Sequence, residues 1–292
     1  MIPPRSTPFV SLLVFIFGAA SSLVCAVFAA GFALGIIGAV RPMVAMALVS
    51  AVASAALLLM TLGLLRGECL GMSALGLPVS GQRAREFALG FVVSAALFIA
   101  VAWTQSAMVG ASWVFQGAPG ALAALWGLPL AASMVMAEEL LFRGAALRYL
   151  RQIFGDRSAI VVSAACFGAY HLVGSQHWAM GAVFQFLMPM AGGLLFGWAA
   201  VRSGGLALPI GLHLGGNWVQ ASIAVFTPAA GNSASPSVHE MWRIPLGAGD
   251  AQWLSAPDVL PRLPYIAAFA LAAMAIGRFL QTKEAAVSRC LS

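Results

Sequence analysis

Two adjacent glutamates interrupt a long apolar stretch and are the residues best suited to chemistry. The chain has only nine acidic residues, and Glu138 and Glu139 lie in the segment AASMVMAEELLFRGAALRYL. A glutamate facing lipid costs several kcal/mol, so both carboxylates must face the protein interior, a partner or water. Arg143 lies four residues after Glu139 on the same helix face, which predicts an ion pair. Glu138, rotated by about 100°, is then left for acid–base chemistry.

The second group of candidates consists of imidazole and amide side chains in later apolar runs. His171 ends the segment SAACFGAYH, and His213 lies in LALPIGLHLGGNW. Asn217 lies four residues after His213 and shares its helix face. A single histidine within a membrane is most often a helix–helix hydrogen-bonding residue. Together with the glutamates and the arginine, however, these side chains are satisfied most easily by one another in one cavity.

Other polar or small residues in the apolar runs are expected to serve packing. Gln105 and Gln185 are interpreted as packing or cavity-lining residues, and Phe167 as packing next to His171. The glycine pairs at 192–193 and 215–216 are expected to let helices approach closely. The sequence contains no HExxH, GxSxG or Walker-type motif, which excludes the corresponding zinc-protease, serine-hydrolase and nucleotide-driven classes.

The composition shows that these residues are carried by membrane-spanning helices. Of the 292 residues, 61% are hydrophobic and 8% are charged, against about 25% charged residues in soluble domains, which excludes a water-soluble globule. The net charge of +6 comes from single arginines scattered between apolar runs. This distribution is typical of membrane topology and does not indicate a nucleic-acid partner. Four cysteines without a CxxC pair indicate neither disulfides nor a zinc knuckle.

Eight apolar runs predict an all-α fold, a polytopic transmembrane bundle of about eight helices. The runs comprise residues 10–39, 43–65, 87–110, 121–150, 160–173, 178–201, 206–226 and 265–280. The candidate residues lie on the fourth, fifth and seventh runs, which predicts a polar cavity between helices 4, 5 and 7. Because we find no repeat or second domain, residues 1–292 are taken as a single transmembrane domain.

Basic residues predict the orientation of the bundle. With the N-terminus inside, eleven lysines and arginines lie in inside segments and three in outside segments, which favours both termini in the cytoplasm. We expect an integral protein of the bacterial cytoplasmic (inner) membrane. Residues 67–86 are expected inside as a surface helix or loop. Residues 227–263 are expected outside as a flexible connector, with Trp242 and Trp253 at the membrane interface.

Three sequence blocks resemble the motifs of a known family. The segments EELLFRG (138–144), FGAYH (167–171) and HLGGN (213–217) are similar to the EExxxRG, FxxxH and HxxxN motifs of the CPBP family, the CAAX-protease and bacteriocin-processing membrane proteins. All three occur in the order and spacing of that family. The resemblance covers mainly residues 121–220, which we take as a CPBP-like catalytic core.

The resemblance implies an intramembrane endopeptidase that hydrolyses a peptide bond of a membrane-anchored protein or peptide. By this resemblance Glu138, helped by His171, is the general base that takes a proton from the attacking water. By the same resemblance Glu139 and Arg143 hold the helix in position and adjust the basicity of Glu138. The implied partners are the membrane-anchored substrate and the lipid bilayer.

The resemblance also implies an oxyanion site and leaves a metal open. His213 and Asn217 would donate hydrogen bonds to the oxyanion of the tetrahedral intermediate. Glu138, His171 and His213 could instead form a two-histidine, one-carboxylate site for a divalent metal such as zinc. Both mechanisms use the same residues; we favour one without an obligatory metal, and no other cofactor is implied.

Two functions from other classes remain as alternatives. The first is a noncatalytic relative that acts as a membrane scaffold or bacteriocin immunity protein, against which the intact motif residues argue. The second is a proton-coupled transporter, because intramembrane Glu, Arg and His residues also form proton relays. The missing internal repeat counts against a transporter.

Overall fold

The apolar runs form long helices because a backbone amide without a hydrogen bond is too costly in lipid. The computed structural model describes residues 7–37, 42–173, 180–228, 240–247, 249–250 and 260–291. Its helices are α1 (Pro8–Ile37), α2 (Pro42–Gly67), α3 (Gly81–Met108), α4 (Gly117–Glu139), α5 (Ala145–Tyr170), α6 (Met180–Ser203), α7 (Ala207–Trp218) and α8 (Leu263–Leu291). The prediction of an all-α membrane protein is confirmed.

Five helical stretches are long and apolar enough to cross a membrane among the residues described. They are Ala47–Gly67, Gly81–Met108, Gly117–Tyr170, Ala182–Ser203 and Leu260–Leu280. The stretch Gly117–Tyr170 contains two of the predicted runs, and it changes direction at Gly155, whose φ of 77° and ψ of 170° are not helical. A side chain would be strained at this positive φ. Each of the eight predicted runs is helical over most of its length, and the number of crossings stays a prediction.

The seventh run contains the main departure from the predicted helices. A π-helical turn, Val219–Ile223, follows α7, and the chain then extends as strand β2, Ala224–Pro228. Strand β2 pairs in parallel with β3, Trp242–Leu246, which also pairs antiparallel with β1, Val114–Phe115. The prediction of helix is therefore wrong for residues 224–226. Apolar composition alone does not separate the end of a helix from a short buried strand.

The segment predicted as a flexible outside connector is partly a defined strand. Within it, Trp242 packs against Phe115 at 5.0 Å and Trp113 at 6.2 Å between ring centroids. Residues 229–239 and 251–259, including Trp253, lie outside the described residues. The inside connection at 67–86 is a loop with a short 3-10 turn, Met72–Leu75, and α3 begins at Gly81.

The chain divides into two compact units. Unit 1 comprises Met1–Phe87, Ala132–Ser175 and Gln185–Ile210, and unit 2 comprises Ala88–Ala131, Gln176–Phe184 and Gly211–Ser292. Fully buried side chains in unit 1 include Phe15, Leu65, Leu140, Tyr149 and Leu208. In unit 2 the small sheet packs on helical residues through a core of Ala102, Val219, Ala224 and Ile244.

Connections predicted to lie in the cytoplasm meet within unit 1. Arg148 forms an ion pair of 2.6 Å with Glu68. Arg83 donates a hydrogen bond of 2.8 Å to the carbonyl of Ser203. The loop after α2, the start of α3, the bend in α5 and the end of α6 therefore share one region, as an alternating topology requires.

Candidate active site

The two glutamates lie where an α-helix widens into a π-helical turn. Helix α4 ends at Glu139, and Leu140–Gly144 is π-helical before α5 begins. Such turns occur frequently at functional sites. The Nη1 of Arg143 donates to Oε1 of Glu139 at 3.1 Å, and both side chains are fully buried. The predicted ion pair between Glu139 and Arg143 is confirmed.

Aromatic rings enclose the guanidinium group of Arg143. Its central carbon lies 4.4 Å from the ring centroid of Phe167, 5.4 Å from Phe196 and 5.7 Å from Phe142. Cation–π attraction is strongest where water is excluded. Nη2 also donates to the carbonyl of Gly193 at 3.3 Å. The arginine is thus held by α6 as well as by its own helix.

Gly193 leaves the space that the guanidinium occupies. A Cβ at this position would lie 3.0 Å from Cα of Ala164 and 3.1 Å from Nη2 of Arg143. The helix backbones could not keep this distance with a side chain present. The expectation that this glycine permits close helix approach is confirmed.

Replacing Gly193 by alanine is expected to destabilise the protein by about 1–3 kcal/mol, because the new methyl group overpacks a tight contact. The matched control is Gly63→Ala in α2, where a Cβ meets nothing within 4 Å. We expect the control to melt at or above the wild-type temperature, since alanine favours a helix over glycine by about 1 kcal/mol. Thermal unfolding of both variants in detergent measures the difference. Equal melting temperatures would contradict the packing described.

Glu138 lines a cavity that is almost entirely apolar. The cavity has a volume of about 380 Å³, and α1, α2, α4 and α5 contribute to its wall. Glu138 is half-buried there, and Ser163, Cys166 and Tyr170 are the other polar lining residues. Its charge interacts electrostatically with Arg143 and with Tyr170. Such interactions are strong because an apolar wall has a low dielectric constant. The two glutamates therefore have different surroundings, as the sequence predicted.

His171 is oriented by the residue one helical turn before it. Its Nδ1 lies 2.8 Å from the carbonyl oxygen of Phe167, and the two rings are in edge contact at 4.6 Å. With Nδ1–H donating to this carbonyl, the neutral ring keeps an unprotonated Nε2 that can accept a proton. Gln185 donates a hydrogen bond of 2.9 Å to the backbone carbonyl of His171. Nδ1 is thus engaged, and Nε2 is the nitrogen left for chemistry.

Sequence reasoning missed several supporting residues of unit 1. Phe167 was expected only to pack, but it contacts Arg143 with its ring and His171 with its carbonyl. Gln185 supports the backbone of His171 in addition to packing. Tyr170 and Phe196 were not among the predicted site residues. An aromatic residue in an apolar helix carries no distinguishing signal, although the four-residue spacing of Phe167 and His171 was available.

The remaining two candidates lie on α7, within unit 2. His213 is buried, with 5% of its surface exposed, and Asn217 is half-buried. Between them, Gly215 and Gly216 face α3 at close range. A Cβ on Gly215 would meet the carbonyl oxygen of Phe91, and one on Gly216 would lie 3.0 Å from the Phe98 ring. These glycines also permit close packing, as expected.

The structure thus places the six candidates in two groups. Glu138, Glu139, Arg143 and His171 belong to unit 1, where Phe167 connects the arginine to His171. His213 and Asn217 belong to unit 2. In the part of the chain that the structure describes, no three His, Cys, Asp or Glu side chains are grouped to hold a metal ion. The meeting of both groups in one cavity stays a prediction.

Comparison with known families identifies the segment that carries these residues. A sequence model described as "Type II CAAX prenyl endopeptidase Rce1-like" matches residues 119–219. Residues 119–219 are therefore similar to the Rce1-like family, and we refer to them as the Rce1-like segment. The Rce1-like segment contains all three motif blocks and ends at the π-helical turn after α7, which confirms the resemblance found in the sequence. No curated protein and no solved structure matches the chain significantly. The Rce1-like segment and the apolar helices support a protease embedded in a lipid bilayer.

Proposed function

We propose that the protein is an intramembrane endopeptidase in which Glu138 activates a water molecule. The observation that carries the proposal is the contrast between two neighbouring carboxylates. Glu139 is fully buried in an ion pair with Arg143, whereas Glu138 lines an accessible cavity. This contrast supports a structural role for Glu139 and a catalytic role for Glu138. The similarity of residues 119–219 to a CAAX prenyl endopeptidase family supports the reaction class.

The chemistry follows from this arrangement. The carboxylate of Glu138 takes a proton from water, and the water oxygen attacks the carbonyl carbon of the scissile peptide bond. Nε2 of His171 helps to hold this water. The proton then passes to the amide nitrogen, the C–N bond breaks, and the products are a carboxylic acid and an amine. Arg143 and Glu139 do not touch reacting atoms and act as positioning residues.

His213 and Asn217 are proposed as donors to the oxyanion of the tetrahedral intermediate. Two features support this role: one helix turn presents both side chains, and the glycines between them hold α7 close to α3. Donors held rigidly before the reaction stabilise the developing charge without a cost for reorganisation.

Removal of one donor gives a direct test. We expect His213→Ala to lower kcat by about 10²–10³-fold, the effect of removing an oxyanion donor in other hydrolases. Gln220→Ala, an exposed position in the π-helical turn after α7, is the control and should retain wild-type activity. Both variants are compared by the rate at which purified protein in liposomes cleaves a farnesylated CAAX peptide, or a substrate found by N-terminal proteomics. A wild-type kcat in His213→Ala would show that His213 does not stabilise the oxyanion.

The substrate is proposed to be anchored in the membrane through an apolar group that enters the cavity beside Glu138. Ligand pockets commonly measure roughly 300–1,000 Å³, and this cavity, at about 380 Å³, is large enough for an apolar chain. Members of the family are described as prenyl endopeptidases of CAAX proteins. A bacteriocin leader or a sorting-signal tail would present comparable apolar surface.

The protein is proposed to lie in the bacterial cytoplasmic membrane with both termini in the cytoplasm. The excess of basic residues in the inside segments supports this orientation. The contacts of Arg148 with Glu68 and of Arg83 with Ser203 join segments that this orientation assigns to the same side.

The reaction is proposed to need no obligatory metal. Glu138, His171 and His213 are chemically suitable ligands for a divalent metal such as zinc, so this part of the proposal needs its own test. Cleavage is expected to survive exhaustive chelation, measured together with the zinc content of the purified protein. Loss of activity that zinc alone restores would contradict this mechanism.

A further inference from the structure

The loop after α2 docks on the turn that leads into α7. The short 3-10 turn Met72–Leu75 ends at Gly76, whose φ of 56° is left-handed. The carbonyl of Leu75 accepts a hydrogen bond of 2.9 Å from the amide of Leu206. The carbonyl of Gly76 accepts one of 2.9 Å from the amide of Ala207. Within unit 1, two backbone hydrogen bonds thus join segments that are distant in the sequence.

These two hydrogen bonds cap the first turn of α7. The amides at the start of a helix have no partner within that helix. Helix α7 begins at Ala207, and the carbonyl of Leu206 accepts a hydrogen bond of 2.9 Å from the amide of Ile210. Leu206 is 2% exposed and Ala207 has no exposed surface, so water cannot replace the carbonyls of the loop. The loop therefore supplies the cap that a helix usually receives from a side chain.

Arg83, in the first turn of α3, holds the same turn. Its Nη1 donates to the carbonyl of Ser203 at 2.8 Å, and its Nη2 donates to the carbonyl of Gly204 at 3.0 Å. Nη1 also donates at 2.7 Å to the carboxylate of Glu86, which has no exposed surface. A planar guanidinium group holds several acceptors in one fixed geometry, which the ammonium group of a lysine cannot do.

Two glycines let the loop and the turn come this close. A Cβ on Gly76 would lie 2.6 Å from Cα of Gly205, and a Cβ on Gly205 would lie 2.7 Å from Cα of Gly76. Either Cβ would also lie 3.1 Å from Cζ of Arg83, so the guanidinium group lies against both backbones. We refer to Arg83 together with residues 75–76 and 203–207 as the α7 clamp.

We propose that the α7 clamp sets the position of His213 and Asn217, and that Arg83 is a positioning residue for the proposed hydrolysis. Helix α7 runs from Ala207 to Trp218, so a shift of its first turn moves the side chains that follow. His213 lies six residues after Ala207, about 9 Å along the helix axis. Oxyanion donors must be in place before the reaction, and a misplacement of about 1 Å can lower the rate about 10²-fold. The positioning role rests on the proposed function, but the clamp does not.

Hydrogen exchange tests the clamp without a substrate. Removal of Arg83 alone would leave the carboxylate of Glu86 buried without its cation, so the test variant is Arg83→Met/Glu86→Gln. The matched control is Glu86→Gln, which keeps the contacts of Arg83 with the turn. We expect the amides of Leu206 and Ala207 to exchange about tenfold faster in the test variant than in the control. Mass spectrometry with electron-transfer fragmentation of the purified proteins in detergent measures these rates.

A second variant keeps the charge at this position. Arg83→Lys retains a cation beside Glu86 but loses the planar fork of donors, and its exchange rates at the same amides should lie between those of the wild-type protein and the test variant. This variant decides the question if the test variant does not fold. Exchange as slow as in the controls, which are Glu86→Gln and the wild-type protein, overturns the clamp.

Kinetics test the positioning role separately. Per amount of folded protein, the test variant should have a kcat about tenfold below that of Glu86→Gln and an unchanged KM. KM should not change because the wall of the cavity proposed for the substrate comes from α1, α2, α4 and α5. When both variants also carry His213→Ala, their kcat values should differ by at most about threefold, because Arg83 then has only one donor left to position.

A general loss of stability would give a different result, since the effects of Arg83→Met and His213→Ala would multiply. Full multiplication, or equal kcat in the test variant and Glu86→Gln, overturns the positioning role. If the wild-type protein cleaves no substrate, the proposed function and the positioning role fail together. The exchange rates at Leu206 and Ala207 still decide in that case whether the clamp exists.

Discussion

Glu138→Gln is expected to reduce cleavage by about 10²–10⁴-fold, the usual contribution of a general base. Glutamine has nearly the same shape but does not take up a proton from water, so the cavity and the fold should be kept. The variant should therefore accumulate and melt like the wild-type protein. N-terminal proteomics of membrane fractions from cells with either form measures the loss, as new peptide ends that depend on an active Glu138.

The control for this substitution is Asp156→Asn, which also replaces a carboxylate by an amide. Asp156 is 55% exposed at the bend of α5, where it pairs with Arg151, and exposed pairs contribute little to stability. We expect the control to process substrates normally. Normal processing by Glu138→Gln would remove the enzyme assignment and favour a noncatalytic membrane scaffold or immunity protein.

Arg143→Ala is expected to destabilise the protein by about 3–5 kcal/mol, the cost of breaking a buried ion pair from one side. The substitution leaves the carboxylate of Glu139 fully buried without its cation, and it removes the group that three phenylalanine rings enclose. Thermal unfolding in detergent, read together with the amount of folded protein, measures this loss. A wild-type melting temperature in Arg143→Ala would contradict the buried ion pair.

A double variant separates stability from catalysis at the same position. Glu139→Gln combined with Arg143→Met removes both charges and restores packing, so most of the lost stability should return. Activity should stay low, because Arg143 no longer holds Phe167 and, through it, His171. Recovery of full activity in the double variant would show that the ion pair has no positioning role.

The ion pair could be predicted from the sequence because it depends only on spacing within one helix. Glu139 and Arg143 are four residues apart, and burial of both charges without each other would be prohibitively costly. The different surroundings of Glu138 followed from the same helical geometry. The cavity that Glu138 faces could not be predicted in this way. Its wall comes from α1, α2 and α5, and the sequence does not reveal how these helices pack.

The features that sequence reasoning missed depend on contacts between distant segments. Gly193 and Phe196 lie about 50 residues after Arg143, and nothing in an apolar helix marks them as its neighbours. Residues 224–226, the first part of the strand Ala224–Pro228, were predicted as helix because the partner strand, Trp242–Leu246, lies in a segment interpreted as a connector. The π-helical turn at 140–144 has no periodic signal of its own. Sequence patterns thus predicted contacts within one helix. They did not predict contacts between segments that are distant in the sequence.

An experimentally determined structure offers the most direct test of the proposed site. The measured quantities are the distances from the carboxylate oxygens of Glu138 to the nearest imidazole nitrogens of His171 and His213. If one shared water joins these groups, each distance should be at most about 6 Å, the length of two hydrogen bonds. A carboxylate directed away from both imidazoles, beyond the reach of a common water, would contradict hydrolysis at this site.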